Sequence, residues 1–151
     1  MKRFVVDASV AAQWYFEEPY TAQAELLLAD AVELLAPDLL HVEIASLLAR
    51  RVSRREIPSD EAHRVLAELG QVPCEWSAAS QLAPAALGIA LRTGLSVPES
   101  IYLALALEAH CPLLTADRKL YDALRADRLA PHVAWIADLA PGGGRDGGGL
   151  R

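Results

Sequence analysis

The sequence predicts an α/β fold: a parallel sheet of about four to five short strands with about seven helices on both faces. Short apolar runs such as Phe4-Val5-Val6 and Leu113-Leu114 are typical of strands buried on both sides. Helical patterns separate these runs, as in other α/β folds. Both runs lead into a carboxylate, Asp7 or Asp117, followed by a helix start. Chemistry in such sheets lies beyond the carboxyl ends of the strands.

The individual elements follow from apolar spacing and from punctuation by proline and glycine. Strands are expected over 4–6, 72–76, 111–115 and 132–135. Helices are expected from residue 10 onward and over 21–35, 39–54, 59–69, 80–92, 98–109 and 118–127. Ser59 is the expected cap of the fourth helix, and Gly70 and Gly94 follow the ends of two others. One domain is expected over 1–140, and the Gly-rich tail over 141–151 is expected to be disordered.

Composition sets limits on the class of protein. The chain has 151 residues, 53% of them hydrophobic, which is enough for one domain with a substantial core. No apolar run approaches the roughly 20 residues of a membrane span, and the N-terminus does not have the pattern of a signal peptide. A cytoplasmic location is therefore expected. The net charge of −6 argues against nucleic acid, unless the acids are clustered around a divalent cation.

Glu43 is the acidic residue that is hardest to explain as a surface group. On a helical wheel of the third predicted helix it falls within an apolar arc formed by Leu39, Leu40, Val42, Ile44 and Leu47. No cation stands three or four residues away to pair with it. An unpaired buried carboxylate costs several kcal/mol, so the position suggests a cation or a tertiary partner. A distant arginine, or an edge position that reaches solvent, is the alternative.

The other acids each have a structural explanation as well. Asp7 and Asp117 could simply be N-caps, and Glu99 fits a capping box with Ser96. Taken together, however, the four carboxylates would repel one another unless a cation neutralised them. Hard oxygen ligands of this kind suit Mg²⁺ or Mn²⁺. Zinc is not expected, because His41, His63, His110 and His132 have no ligand spacing.

Four segments, in order, carry a resemblance to a known family. They are F-V-V-D-A-S, P-D-L-L-H-V-E-I-A-S-L-L, P-E-S-I-Y-L-A-L-A and C-P-L-L-T-A-D-R-K-L, which together span most of residues 4–120. The chain resembles a PIN-domain ribonuclease, specifically a VapC-type toxin of a type II toxin–antitoxin system. The resemblance implies a PIN-like three-layer fold over 1–140.

It also implies a Mg²⁺- or Mn²⁺-dependent endoribonuclease that leaves 5′-phosphate and 3′-hydroxyl ends. Asp7 would be the central metal ligand with Asp117 beside it, and Glu43 and Glu99 would complete the acidic quartet. Ser9 and Thr115 match the hydroxyl positions that support the site in this family. The family usually has Asp where this chain has Glu99.

Partners follow from the same resemblance. RNA requires positive contacts, for which Arg118, Lys119, Arg50 and Arg51 are the candidates; such residues are also common at solvated helix ends. The family forms homodimers and receives a cognate antitoxin in a hydrophobic groove near the first helices. Trp14, Tyr15 and Phe16 are candidates for that groove, since a helix cannot bury three adjacent aromatics on one face.

Three other interpretations compete with this one. A phosphatase of the haloacid-dehalogenase type also has Asp after its first strand, but it requires a second Asp two residues on, where this chain has Ser9. A catalytically weak or inactive PIN-like domain could act as a protein-interaction module, which Glu99 favours. Finally, every acid could be a cap or a salt-bridge partner, in which case substitution of Asp7 or Glu43 would leave metal affinity unchanged.

Overall fold

The computed structural model describes residues 2–29 and 31–140, so the predicted disordered tail lies outside the described residues. Five strands are present: β1 Lys2–Val6, β2 Val32–Pro37, β3 Glu75–Ser77, β4 Leu113–Thr115 and β5 Val133–Trp135. Seven α-helices accompany them: α1 Ala8–Ala11, α2 Thr21–Glu25, α3 Leu39–Ser53, α4 Ser59–Leu69, α5 Ala79–Thr93, α6 Val97–Ala109 and α7 Arg118–Arg125. Short 3₁₀ turns extend α1 and α2 and flank β5.

The strands form one parallel sheet in the order β3-β2-β1-β4-β5. From β1 the chain first builds outward through β2 and β3, and later returns to the other side of β1 to add β4 and β5. The order therefore reverses between β1 and β4, where Val5 pairs with Leu113 and Val6 with Leu114. A crevice at such a switch point is the usual ligand site of open α/β sheets. The predicted α/β class with a parallel sheet is confirmed.

The core lies on both sides of β1 and β4. Val5, Val6, Leu113 and Leu114 are fully buried, which requires cover on both faces of the sheet. α6 packs on β1, β2 and β4, and its seven consecutive buried residues run over 100–106. A helix that is apolar all round belongs inside the protein. It fixes the position of the helix start that carries Glu99.

The clearest correction concerns residues 21–35, which were predicted as one helix. The structure has a short helix at Thr21–Glu25 and then the strand Val32–Pro37. Apolar residues at 24, 27, 28, 31 and 35 match helical spacing, but short apolar runs fit a helix and a buried strand equally well. Parallel pairing with β1, with Phe4 opposite Leu34, decides in favour of the strand.

Two smaller expectations also change. Ser59 is the first residue of α4, and Pro58, whose side chain makes no capping bond, is at the N-cap. Val42, predicted to lie in the apolar arc of α3, is 61% exposed; the buried residues of that helix are Leu40, Ile44 and Leu48. Across residues 2–29 and 31–140, none of the helices combines the length and apolarity that a membrane crossing requires.

Candidate active site

Asp7 leaves the end of β1 and begins α1. It is 7% exposed, and its Oδ1 accepts a hydrogen bond from the backbone N–H of Val10 at 3.1 Å. Asp7 is thus the N-cap of α1, as one of the two interpretations of the sequence expected. Capping does not account for the whole side chain, because one capping bond leaves most of the acceptor capacity of the carboxylate free.

Two hydroxyls occupy that remaining capacity. Ser9 Oγ donates to Asp7 Oδ1 at 2.5 Å, and Thr115 Oγ1 donates to Asp7 Oδ2 at 2.6 Å. Each hydroxyl also accepts a backbone bond, Ser9 from Ala116 N–H at 2.9 Å and Thr115 from Asp117 N–H at 3.0 Å. These hydrogen bonds connect the loop after β4 to the end of β1. They therefore fix the position of Asp7 at the switch point of the sheet.

Burial dominates the ionisation of Asp7. Desolvation raises its pKa from 3.8 to about 6, the bonds from Ser9, Thr115 and Val10 oppose that rise, and the negative charge of Asp117 adds to it. The charged form is therefore less stable in the folded protein than in water, and a nearby cation would favour it. A carboxyl group whose pKa is raised by burial in this way is typical of functional sites.

Asp117 follows β4 and caps α7. Its Oδ1 accepts from the backbone N–H groups of Lys119 and Leu120 at 3.0 and 3.2 Å. The residue is exposed, so its second carboxylate oxygen is available to solvent or to a ligand. Because β1 and β4 are neighbours, the two strand-end carboxylates lie on the same edge of the sheet, as the sequence predicted.

Glu43 is not a buried, unpartnered charge. It is half-buried on α3, and Tyr102 Oη donates to its Oε1 at 2.5 Å. Desolvation, together with this bond and the negative charges of Glu43 and Asp7, raises the pKa of Tyr102 well above its usual value, so the phenol remains a donor. The expectation of a tertiary partner is met by a tyrosine, and the expectation of full burial was wrong.

Glu99 begins α6 in the manner of a capped helix. Ser96 Oγ accepts from the backbone N–H of Glu99 at 3.2 Å, which leaves the Glu99 side chain partly exposed. That side chain lines a cavity of about 200 Å³ together with Asp7, Glu43 and Asp117. Tyr102 and Ser9 also face this cavity. The structure thus brings all four predicted carboxylates to one place, from four separate segments.

The donor set fits a hard divalent cation, since it consists of carboxylate oxygens around the buried carboxylate of Asp7, which pairs with no cationic side chain among the described residues. In residues 2–29 and 31–140, however, no three His, Cys, Asp or Glu side chains are drawn together closely enough to hold a metal ion. Glu43 is turned toward Tyr102, and Asp117 toward the start of α7. Glu43, Glu99 and Asp117 are partly or fully exposed.

The predicted basic residues fall into two groups. Arg118 stacks over the Trp135 ring at 4.2 Å and pairs with Asp122 at 3.8 Å, and Lys119 is exposed; both stand beside Asp117. Arg50 and Arg51 line a second cavity, which shares Glu43 and Ser9 with the carboxylate cavity. All four cations therefore lie next to the acidic site.

The aromatic candidates are each partly buried. Trp14 Nε1 donates to the carbonyl of Ala24 at 2.8 Å, and the Phe16 ring lies 3.9 Å from the Arg51 guanidinium carbon. Tyr15 meets Trp14 edge-on. A cleft of about 440 Å³ runs between α3 and α4, with predominantly apolar residues such as Leu48, Val52 and Leu66 in its lining. The three aromatics are not among the residues that line it.

Sequence reasoning missed two residues. Tyr102 stands three residues after Glu99, hence on the same helix face, and that spacing was the available signal. Gln13 lies on the 3₁₀ turn after α1 and is 7% exposed although it is polar. Nothing in the local sequence distinguished Gln13 from a solvent-exposed residue.

Comparisons with known proteins agree with this geometry. Residues 4–125 match the PIN domain. Ribonuclease VapC3 of Pyrobaculum aerophilum is 34% identical over 120 residues, which cover 78% of this chain and 92% of that protein. The chain therefore belongs to the PIN-domain family. Its similarity to VapC3 places it with the VapC-type ribonucleases of that family.

Solved structures share the fold at low sequence identity. The crystal structure of PAE2754 from Pyrobaculum aerophilum has a TM-score of 0.61 at 17% identity, covering 90% of this chain and 85% of that one. A toxin–antitoxin complex from Klebsiella pneumoniae has a TM-score of 0.59 at 13% identity, with 88% and 97% covered. VapBC2 from Rickettsia felis, bound to a promoter DNA fragment, has 0.58 at 10%, with 88% and 98% covered. The predicted PIN-like fold is confirmed.

Proposed function

We propose that this protein is a Mg²⁺- or Mn²⁺-dependent endoribonuclease and the toxin of a toxin–antitoxin pair. The main observation in support is that Asp7, Glu43, Glu99 and Asp117 line one cavity at the switch point of the sheet. The relation to Ribonuclease VapC3 supports RNA as the substrate. The raised pKa of Asp7 supports a requirement for a cation.

The expected role of each site residue follows from its position in the fold. Asp7 and Asp117 would hold a divalent cation from the strand ends, and Glu43 and Glu99 would complete its ligands from α3 and α6. A bound cation would supply an activated water and would stabilise charge on the phosphodiester. Ser9 and Thr115 keep both oxygens of Asp7 in a fixed orientation. A carboxylate that is not engaged with the cation can accept the proton of the attacking water.

Cleavage of a mixed RNA pool tests the proposal. We expect cleavage in Mg²⁺ or Mn²⁺ that stops when EDTA removes the metal, with 5′-phosphate and 3′-hydroxyl product ends, because water attacks the phosphorus and the 3′-oxygen leaves with a proton. Sequencing of the new ends identifies the cut sites. If the protein binds Mn²⁺ in calorimetry but cuts no RNA, the substrate class is wrong. If it neither binds Mn²⁺ nor cuts RNA, the protein is a PIN-like interaction module instead.

Tyr102→Phe tests the orientation of Glu43. Loss of the hydroxyl leaves Glu43 without its fixed partner, and removing such an outer partner typically lowers metal affinity or activity by about 10- to 100-fold. We expect that loss in RNA cleavage and in Mn²⁺ affinity by calorimetry. Tyr20→Phe is the matched control, since no hydrogen bond of the Tyr20 hydroxyl is seen within the described chain. Equal behaviour of the two variants would contradict a positioning role for Tyr102.

The partners of this toxin are proposed on separate grounds. Structural neighbours that are toxin–antitoxin complexes support a cognate antitoxin. The partly exposed aromatics Trp14, Tyr15 and Phe16 and the apolar cleft between α3 and α4 are the surfaces available for it. A homodimer is supported by exposed apolar side chains on α5, where Leu87 is 52% and Leu91 79% exposed.

A further inference from the structure

A cavity of about 460 Å³ opens beside the carboxylate cavity. The two share Ala8, Ser9 and Glu43, so they form one continuous depression in the surface. Its size lies within the range of roughly 300–1,000 Å³ that is usual for ligand sites. The rest of its lining includes Gln13, Arg50, Arg51 and the carboxylate of Glu18, which is paired with Arg51. A group bound there would lie next to whatever is bound at the four carboxylates.

Gln13 presents a fixed hydrogen-bond donor to this cavity. Its Oε1 accepts from the backbone N–H of Tyr20 at 3.1 Å, and because a backbone N–H only donates, the orientation of the amide is settled. No bond of Gln13 Nε2 to another described residue is seen. Since every buried side-chain nitrogen and oxygen in residues 2–29 and 31–140 has a partner, this nitrogen is accessible to solvent, on a residue that lines the cavity.

Arg51 is held in place before any ligand arrives. Its guanidinium pairs with Glu18 at 3.0 Å and with Glu56 at 3.6 Å, and it lies 3.9 Å from the centre of the Phe16 ring. A guanidinium has five N–H donors, so these contacts leave donors free. Preorganisation of this kind lowers the entropy lost when a ligand binds.

Arg50 supplies the positive charge that is not already neutralised. It is exposed, and its side chain makes no ion pair or hydrogen bond with another described residue. Arg51 balances Glu18, so Arg50 is the cation left to meet an incoming anion. Its position one residue before Arg51 places it at the rim of the same cavity.

We propose that Gln13, Arg50 and Arg51 form a subsite for a phosphodiester group of the RNA, next to the bond that is cut. Because Gln13 Oε1 is already bonded to Tyr20 N–H, the polar groups that these three side chains leave unbonded are all donors. That pattern suits phosphate oxygens better than the mixed donors and acceptors of a base edge. The subsite fixes the register of the strand across the carboxylates. This inference rests on the proposed ribonuclease function.

Steady-state cleavage of a labelled RNA in Mg²⁺ tests the subsite. Gln13→Glu keeps an oxygen for the Tyr20 N–H but replaces the donor with an acceptor. A contact made equally in ground state and transition state affects KM alone. We expect a KM about tenfold higher, the size of one hydrogen bond to a charged group, with kcat within about threefold of wild type. Arg50→Gln, an exposed change that leaves the fold intact, is expected to raise KM similarly.

Salt dependence gives a readout that a structural defect would not change. RNA binding is measured by fluorescence anisotropy in the Asp7→Asn background with Mg²⁺, where the strand remains uncut. Arg50→Gln should lower the slope of log affinity against log salt by about one. Arg54→Gln, an exposed arginine at the same helix end that does not line the cavity, should leave both the slope and KM unchanged.

The outcomes separate the subsite from the function. If wild type cuts RNA and both Gln13→Glu and Arg50→Gln keep its KM and salt slope, the subsite is wrong and the ribonuclease stands. If Gln13→Glu unfolds in circular dichroism, Arg50→Gln alone decides. If wild type cuts no RNA, the proposed function fails and the subsite fails with it.

Discussion

Asp7→Asn is expected to lower RNA cleavage by at least about 1000-fold, the range found for groups that act directly on reacting atoms. Asn has almost the same shape, and its oxygen can still accept from the Val10 N–H. It carries no negative charge, and it replaces one of the two acceptor oxygens with a donor. Because Asp7 is the most buried of the four carboxylates, no solvent-exposed neighbour can take its place. The measurement is kcat/KM on an RNA substrate in Mn²⁺.

The control for this change is Asp138→Asn, an exposed carboxylate on the turn after β5, which should cleave as wild type does. Calorimetry with Mn²⁺ on both variants distinguishes a loss of metal binding from a loss of catalysis alone. We expect the heat of binding to vanish for Asp7→Asn alone. Cleavage by Asp7→Asn within tenfold of wild type would place the active site elsewhere.

The fold was predictable where the local sequence fits only one kind of secondary structure. Val5 and Val6 lead from an apolar run into Asp7, and Leu113 and Leu114 lead in the same way toward Asp117, so each strand end and helix start could be recognised together. Residues 32–37 could not, because their apolar pattern also continues the preceding helix. They form a strand through pairing with β1 and β3, and these partners lie far away in the sequence.

The carboxylates of the site and the two hydroxyls that bond Asp7 were predictable, whereas the partner of Glu43 was not. Asp7 and Asp117 follow from strand ends, whereas Glu43 was selected for a reason that the structure corrects. Its helix buries Leu40 and Ile44 and exposes Val42, so Glu43 lies at the edge of the apolar face and not within it. Its partner, Tyr102, lies 59 residues away. Hydrogen bonds over such separations depend on tertiary packing, which a single sequence does not display.

The second large effect concerns stability against pH in the metal-free protein. Asp7 has a pKa of about 6 in the folded protein and an ordinary value of 3.8. Below pH 3.8 both states hold the proton. Between the two values the folded state keeps a proton that the unfolded state has released, so stability falls as pH rises and the loss is complete above about pH 6. Two pKa units correspond to about 3 kcal/mol.

Other carboxylates titrate in the same range, so the difference between wild type and Asp7→Asn is the useful quantity. In urea unfolding with EDTA, this difference should move by about 3 kcal/mol in favour of the variant between about pH 3 and pH 7. The difference between wild type and Asp138→Asn should stay flat. A constant difference for Asp7→Asn would mean that its carboxylate ionises as easily in the folded state as in the unfolded chain.

Mn²⁺ at pH 7 should return most of the stability that wild type loses through Asp7. A cation that binds only the folded state adds RT ln(1 + [L]/Kd), about 2.7 kcal/mol at 100 times the Kd, which would offset the energy of keeping Asp7 charged. The same addition should not stabilise Asp7→Asn, whose site lacks that charge. The buried carboxylate is thus destabilising in the empty protein and favourable once the cation is bound, which is the expected behaviour of a residue retained for binding and not for folding.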